Sequence, residues 1–172
     1  MSIREIVTLP HAALRKKARK VADFGKPLQQ LVDDMIETMR AAPGVGLAAP
    51  QLDVHQRVIV VEFGDEEDPE VLPTLYVVVN PEIKRPSREI LLGQEGCLSI
   101  PGLVGDVERS ASVVVRGQNR RGHPIKIKAE GWLARIFLHE IDHLNGVLFV
   151  DKAEKIYKLE ELEDGSEVAT PV

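Results

Sequence analysis

"LHEIDHLNG", Leu138 to Gly146, is the stretch whose reading decides what this chain is. Two histidines flank a glutamate, in the order His139, Glu140, two residues, His143. On an α-helix, residues four apart lie within about 40° of each other and one turn apart, so both imidazoles share a face. Trp132 and Ile136 fall on that face too. Glu140 lies about 60° from His143, at its margin. Leu133, Phe137, Leu138, Ile141 and Leu144 cover most of the remainder, and only Arg135 and Asp142 mark a polar side. A helix that is apolar nearly all round is central and buried. A carboxylate and two imidazoles on such a helix are costly unless they are paired or bind a metal. Histidines at this spacing with an adjacent glutamate form a zinc-binding motif in which the glutamate acts as general base.

Working outward, this helix is expected from about Trp132 to Leu144, closed by Asn145-Gly146. An earlier helix runs from about Pro27 to Ala42. There Leu28, Leu31, Val32, Met35, Ile36 and Met39 recur near every 3.6 residues, and Pro43-Gly44 stops the run. "RVIVVEF" (57–63) and "LYVVVNPEI" (75–83) are rich in β-branched residues and predict strands. "ASVVVRG" (111–117) and "PIKIKAE" (124–130) predict another pair, turning at Gln118–His123. "VLFVD" (147–151) predicts a short strand. The expectation is an α+β fold, with mixed or antiparallel sheets packed around the central helix that carries the motif. One catalytic domain is expected over 1–172, ending in a short acidic tail from about 155 whose last dozen residues fray.

Composition narrows the function. The chain has 172 residues, 44% hydrophobic and 28% charged, enough to bury a core without a structural metal. A metal here is therefore expected to serve chemistry rather than folding. The net charge of −5 and the lack of a basic block argue against a nucleic-acid groove. Arg15-Lys16-Lys17 and Arg120-Arg121 read as solvated surface. No apolar run approaches the roughly 18 residues of a membrane span. One cysteine and an N-terminus without a signal core point to a reducing, cytoplasmic setting.

The third ligand is not adjacent. Asp151, Glu154, Glu160, Glu161 and Glu163 lie in the charged tail, and His11, His55 and His123 fall in turns or loops. Cys97 stands apart, in "GQEGCLSIPG", where Gly93, Gly96 and Gly102 thin the chain beside it. A thiolate with two imidazoles leaves one metal position open, the pattern of a catalytic site. "GVGLAAPQ", Gly44 to Gln51, reads either as a packed connector or as a backbone strip that binds an extended chain, with Gln51 delivering a donor.

Together "GVGLAAPQ", "EGCLS" and "HEIDH" resemble the motifs of the peptide deformylases, Gly-x-Gly-Leu-Ala-Ala-x-Gln, Glu-Gly-Cys-Leu-Ser and His-Glu-x-x-Asp-His, in the same order and spacing. The similarity runs from about Ile6 to Asp151. It implies a hydrolase that removes the N-formyl group from the formylmethionine of new polypeptides. Cys97, His139 and His143 would hold Fe²⁺, with zinc, nickel or cobalt accepted in its place. Glu140 would match the general base, and Gln51 and the Leu98 backbone N–H the oxyanion donors. Val45, Gly46 and Gly96 match positions lining the peptide groove. Glu95 and Arg109 match a carboxylate and an arginine expected to pair and brace the glycine-flanked loop that carries Cys97. The implied partners are N-formylmethionyl nascent peptides, with the ribosome a candidate neighbour. Leu138 stands where many members carry Gln. Trp132 replaces a common Leu and is placed to reshape the methionine pocket. A peptidase of the same motif class and a non-catalytic peptide- or metal-binding module are the alternatives.

Overall fold

The computed structural model describes residues 2–65 and 67–172. Its helices are α1 (Lys26–Ala41), α2 (Gly131–Leu144) and the short α3 (Phe149–Lys152). One sheet is ordered β1 (Gly46–Ala48), β2 (Val58–Phe63), β3 (Thr74–Lys84), β6 (Ser112–Gln118) and β7 (Pro124–Glu130). The other is ordered β4 (Ile90–Cys97), β5 (Ile100–Ser110), β8 (Lys155–Glu161) and β9 (Glu167–Pro171). Neighbouring strands are antiparallel wherever their register is defined. The fold is α+β, as the sequence predicts.

The strand period of two explains how the layers form. β2 is buried on both faces. Val58 and Val60 point toward α1, joining Leu31, Val32, Met35 and Met39 in one core. Ile59 and Val61 point the other way, joining Ile136, Phe137 and Ile141 of α2 in another. The sheet therefore separates α1 from α2. The opposite side of α2 meets β5, so the motif helix lies between the two sheets. A third cluster of Leu14, Ile100, Val107, Leu148 and Phe149 seals the end near the hairpin.

Three segments differ from the sequence reading. "VLFVD" is not a strand: Asp151 accepts the Leu148 N–H at 2.9 Å and starts the turn of α3. The acidic tail forms strands β8 and β9, with β8 paired to β5 and Tyr157 donating to Asp106 at 2.8 Å. Its charges sit at the solvent edge of an antiparallel sheet, where they are inexpensive. "GQEGCLS" is the end of β4 and its turn rather than an open loop.

Asp34 fastens the N-terminal segment to α1. It is almost fully buried and accepts bonds from Ser2 N–H at 2.7 Å, Arg4 Nε at 2.7 Å and Gln30 Nε2 at 2.8 Å. Burial opposes the charge, but Ser2, Arg4 and Gln30 outweigh it and hold the carboxyl below its ordinary pKa. Its contribution is thus fully present above the unfolded carboxylate pKa and disappears as pH falls through the folded one. Asp34→Ala should lower the thermal midpoint at neutral pH by roughly 2–8 °C, and the gap should narrow in acid. Thermal scans at two pH values check both statements.

Candidate active site

A cavity of about 380 Å³ opens between β1, the β4–β5 hairpin and α2. Its lining includes Val45, Gly46, Gln51, Gly96, Cys97, Leu98, His139 and Glu140. His143 lies behind them, 1% exposed. The nine residues expected to hold metal, act in catalysis or line the groove therefore converge, although they come from three separated stretches. His11, His55 and His123 do not join them. Among the described residues, Cys97, His139 and His143 are the one group whose ligand atoms lie close enough to share a metal ion, all within 4.8 Å of one another. One thiol and two imidazoles suit a borderline-soft divalent ion.

Each side chain is held by its element. Cys97 ends β4, where the pairing register with β5 shifts at the hairpin turn, and its Sγ lies 3.4 Å from His143 Nε2. One helical turn separates the two histidines, and their rings meet edge to face at 5.1 Å. His139 Nδ1 lies 2.9 Å from Glu95 Oε1, which leaves Nε2 for the cluster. Arg109 grips the same carboxylate through Nε and Nη2, both at 2.9 Å, and reaches Asp142 at 2.6 Å. The expected Glu95–Arg109 pair is present, and it is buried. Gln51 is buried with its Oε1 on the Ala48 N–H at 3.0 Å. Its Nε2 is thereby aimed at Ser99 Oγ, 3.1 Å away, and at Cys97 Sγ, 3.6 Å away.

Gly46 has a reason beyond groove lining. A Cβ built there would lie 2.5 Å from Glu140 Oε2, so the absent side chain is the space the carboxylate occupies. The other oxygen, Oε1, is buried without a hydrogen-bond partner among the described residues. Burial, together with the nearby Glu95 charge, raises the Glu140 pKa to about 7 against the opposing pull of His139 and Arg109. Burial disfavours the charged form of His139, yet hydrogen bonds to Cys97 and Glu95 and the charge of Glu140 raise its pKa to about 10. Burial, then His139 and Arg109, keep His143 neutral, well below its ordinary value. Glu95 is desolvated, but Arg109 and His139 hold it down at about 2. A metal ion would have to displace the His139 proton, so uptake is favoured as pH rises.

Two participants escaped the sequence reading. Ser99, fully buried, fixes the Gln51 amide. A small polar residue two positions after a ligand cysteine was the available signal. Arg135 marked a polar side of the helix on the wheel, but it is 5% exposed and lines the cavity. Nothing in its local sequence announces that burial.

The polypeptide deformylase family model matches residues 3–159. A peptide deformylase of Symbiobacterium thermophilum is 50% identical over 167 residues, 97% of this chain and 73% of that one. The crystal structure of peptide deformylase from Ehrlichia chaffeensis in complex with actinonin superposes with a TM-score of 0.83 at 40% identity, covering 90% of each chain. A Met-Ala-Ser-bound class I type b peptide deformylase from Acinetobacter baumannii superposes at 0.81 and 39% identity, covering 88% of this chain and 99% of that one. With half-identity across nearly its whole length, this chain belongs to the polypeptide deformylase family, and is a hydrolase of that kind.

Proposed function

We propose that the chain removes the N-formyl group from the N-terminal formylmethionine of newly made polypeptides and releases formate. Cys97, His139 and His143 hold the metal, Fe²⁺ in the native protein, with Zn²⁺, Ni²⁺ or Co²⁺ able to substitute. The observation that carries the reading is the unpartnered Glu140 carboxylate oxygen, buried beside the only such ligand cluster among the described residues. The Met-Ala-Ser complex of the similar Acinetobacter protein supports a peptide with a free N-terminal methionine as the product.

When bound, the ion supplies Lewis-acid polarisation and lowers the pKa of water toward neutrality. The protein supplies the rest. Glu140 accepts the proton of the attacking water and delivers it to the departing amine nitrogen, so that amide and water become amine and formate. Gln51 Nε2 and the Leu98 N–H donate to the oxygen that becomes negative. Val45, Gly46 and Gly96 offer a backbone strip to the extended peptide. A formyl carbon bears only hydrogen where an acetyl carbon bears a methyl, so a close fit selects by size. The place of action is the cytoplasm, on chains leaving the ribosome. Among the described residues no helix is long and apolar enough to cross a membrane.

Formyl-Met-Ala-Ser, acetyl-Met-Ala-Ser and unmodified Met-Ala-Ser should each be incubated with protein loaded anaerobically with Fe²⁺, and released formate, released acetate and peptide fragments measured. Only the first substrate should react. Cleavage of an internal bond would support a peptidase, and no turnover with full metal loading a binding module.

Gln51→Leu tests the oxyanion role. It should lower kcat by roughly 10²–10³ with little change in KM. A pure KM effect would make Gln51 a ground-state binding residue.

A further inference from the structure

Arg135 is the largest charged side chain in the cavity wall without a role so far. It precedes His139 by one helical turn and shares its face. Its Nη1 donates to Glu95 Oε2 at 2.6 Å and to the Val107 carbonyl of β5 at 2.8 Å. Its Nη2 donates to the Leu91 carbonyl of β4 at 2.8 Å. The guanidinium carbon lies 5.5 Å from the centre of the Trp132 ring. The arginine thus reaches across both strands of the hairpin that ends in Cys97. It also holds one oxygen of Glu95 while His139 holds the other.

The slot it fills is set by Gly93, which pairs with Val107 across the hairpin. A Cβ built on Gly93 would lie 2.7 Å from the Arg135 guanidinium carbon and 2.9 Å from Nε and Nη2. A planar, hydrogen-bonded guanidinium has little room to give. Gly93 and Arg135 are therefore complementary: one strand residue has no side chain, and a helix residue takes its place.

We propose that Arg135 is a positioning residue for the metal centre. It fixes Glu95, and with it the His139 ring, and it locks the Cys97 hairpin against the helix that carries both histidines. Gly93 is its required counterpart. The proposal rests on the reading that Cys97, His139 and His143 bind a metal. Arg109 ties the hairpin to the helix from the strand side, through Glu95 and Asp142; Arg135 does so from the helix side, through Glu95 and the carbonyls of both hairpin strands.

The test uses full-length protein stripped of metal and titrated with Co²⁺ alone. The visible ligand-field band and the thiolate-to-cobalt absorption report ligand geometry, and the titration gives Kd. Arg135→Met should weaken binding by ~10-fold or more and shift the visible band, as loss of an outer-shell partner does. Arg135→Lys, which can keep one of the three contacts, should fall between. Gly93→Ala should resemble Arg135→Met. The double variant should bind no more weakly than Arg135→Met alone, because the added methyl then has nothing to displace. Wild-type Kd and spectrum in Arg135→Met and Gly93→Ala, with only a lower unfolding temperature of the metal-free protein, would reduce Arg135 to packing and overturn the proposal. Additive losses in the double variant would also overturn it. If Arg135→Met does not fold, Arg135→Lys and Gly93→Ala decide by the same criteria. Failure of the wild type to bind one Co²⁺ per chain would instead overturn the metal reading, before any variant is compared.

Discussion

Glu140→Gln should leave metal content unchanged and lower kcat by about 10²–10⁴. The amide matches the carboxylate in size, so it fits the space beside Gly46 that only a residue without a side chain leaves open. The two histidines on the same helix keep their places. What is lost is a group that accepts a proton. In the metal-free protein burial raises the Glu140 pKa to about 7, a perturbation of the kind that gathers at functional carboxyls. The same perturbation has a stability consequence of definite sign. A carboxyl whose folded pKa lies above its unfolded value binds more protons when folded, so stability falls as pH rises between the two values. The full cost is present above about pH 7. Glutamine carries no such charge. Metal-free Glu140→Gln should therefore unfold at a higher temperature than metal-free wild type at pH 8, with the difference shrinking toward pH 5. Activity lost while metal-free stability is gained is the mark of a functional group held at a structural cost. Metal content, kcat and thermal midpoint are to be taken on one sample. Near-normal kcat would remove Glu140 from the mechanism.

The parts of this site that follow helical or strand periodicity were legible from the sequence. His139 and His143 are a turn apart on a helix whose apolar residues demand burial, and that helix does pack between the two sheets. Cys97 was legible as a candidate third ligand from its thiol and its glycine-thinned surroundings, but its distance from the histidines was not. It lies 42 positions before His139, and the packing of the β4–β5 hairpin against α2 brings it within 3.4 Å of His143. Motif resemblance supplied what spacing could not. Arg135 was misread because a helical wheel assigns a charged residue to water, whereas the partners that make its burial affordable are a distant carboxylate and two strand carbonyls. The tail was misread for a related reason. Acidic composition suggests a solvated segment, but a strand added to the free side of β5 needs only backbone pairing, and its side chains can stay charged.

Cys97→Ser should remove most of the metal, and activity with it. The serine hydroxyl is a harder donor than a thiol and seldom ionises near neutrality, whereas a cysteine thiolate matches Fe²⁺ and Zn²⁺ alike. Loss of one of three direct ligands should exceed the ~10–100-fold cost of losing an outer-shell partner. Folding should survive, since the chain buries its cores through apolar residues independent of the ion. Cys97→Asp, which offers an ionised oxygen, should retain some metal with reduced turnover. The same sulfur makes the site vulnerable. It is half-buried at the cavity wall, where peroxide can carry a thiolate toward irreversible acids, and oxygen can oxidise Fe²⁺ independently. Zinc has no second oxidation state, so a zinc-loaded sample should outlast the iron form in air, and a nickel-loaded one should behave similarly. Metal stoichiometry after exhaustive dialysis is the deciding measurement. One tightly held ion per chain in Cys97→Ser would show that the third ligand is elsewhere. His139 and His143 would then need a different partner, and the assignment of the cavity as a Cys-His-His centre would fail even with the family membership unchanged.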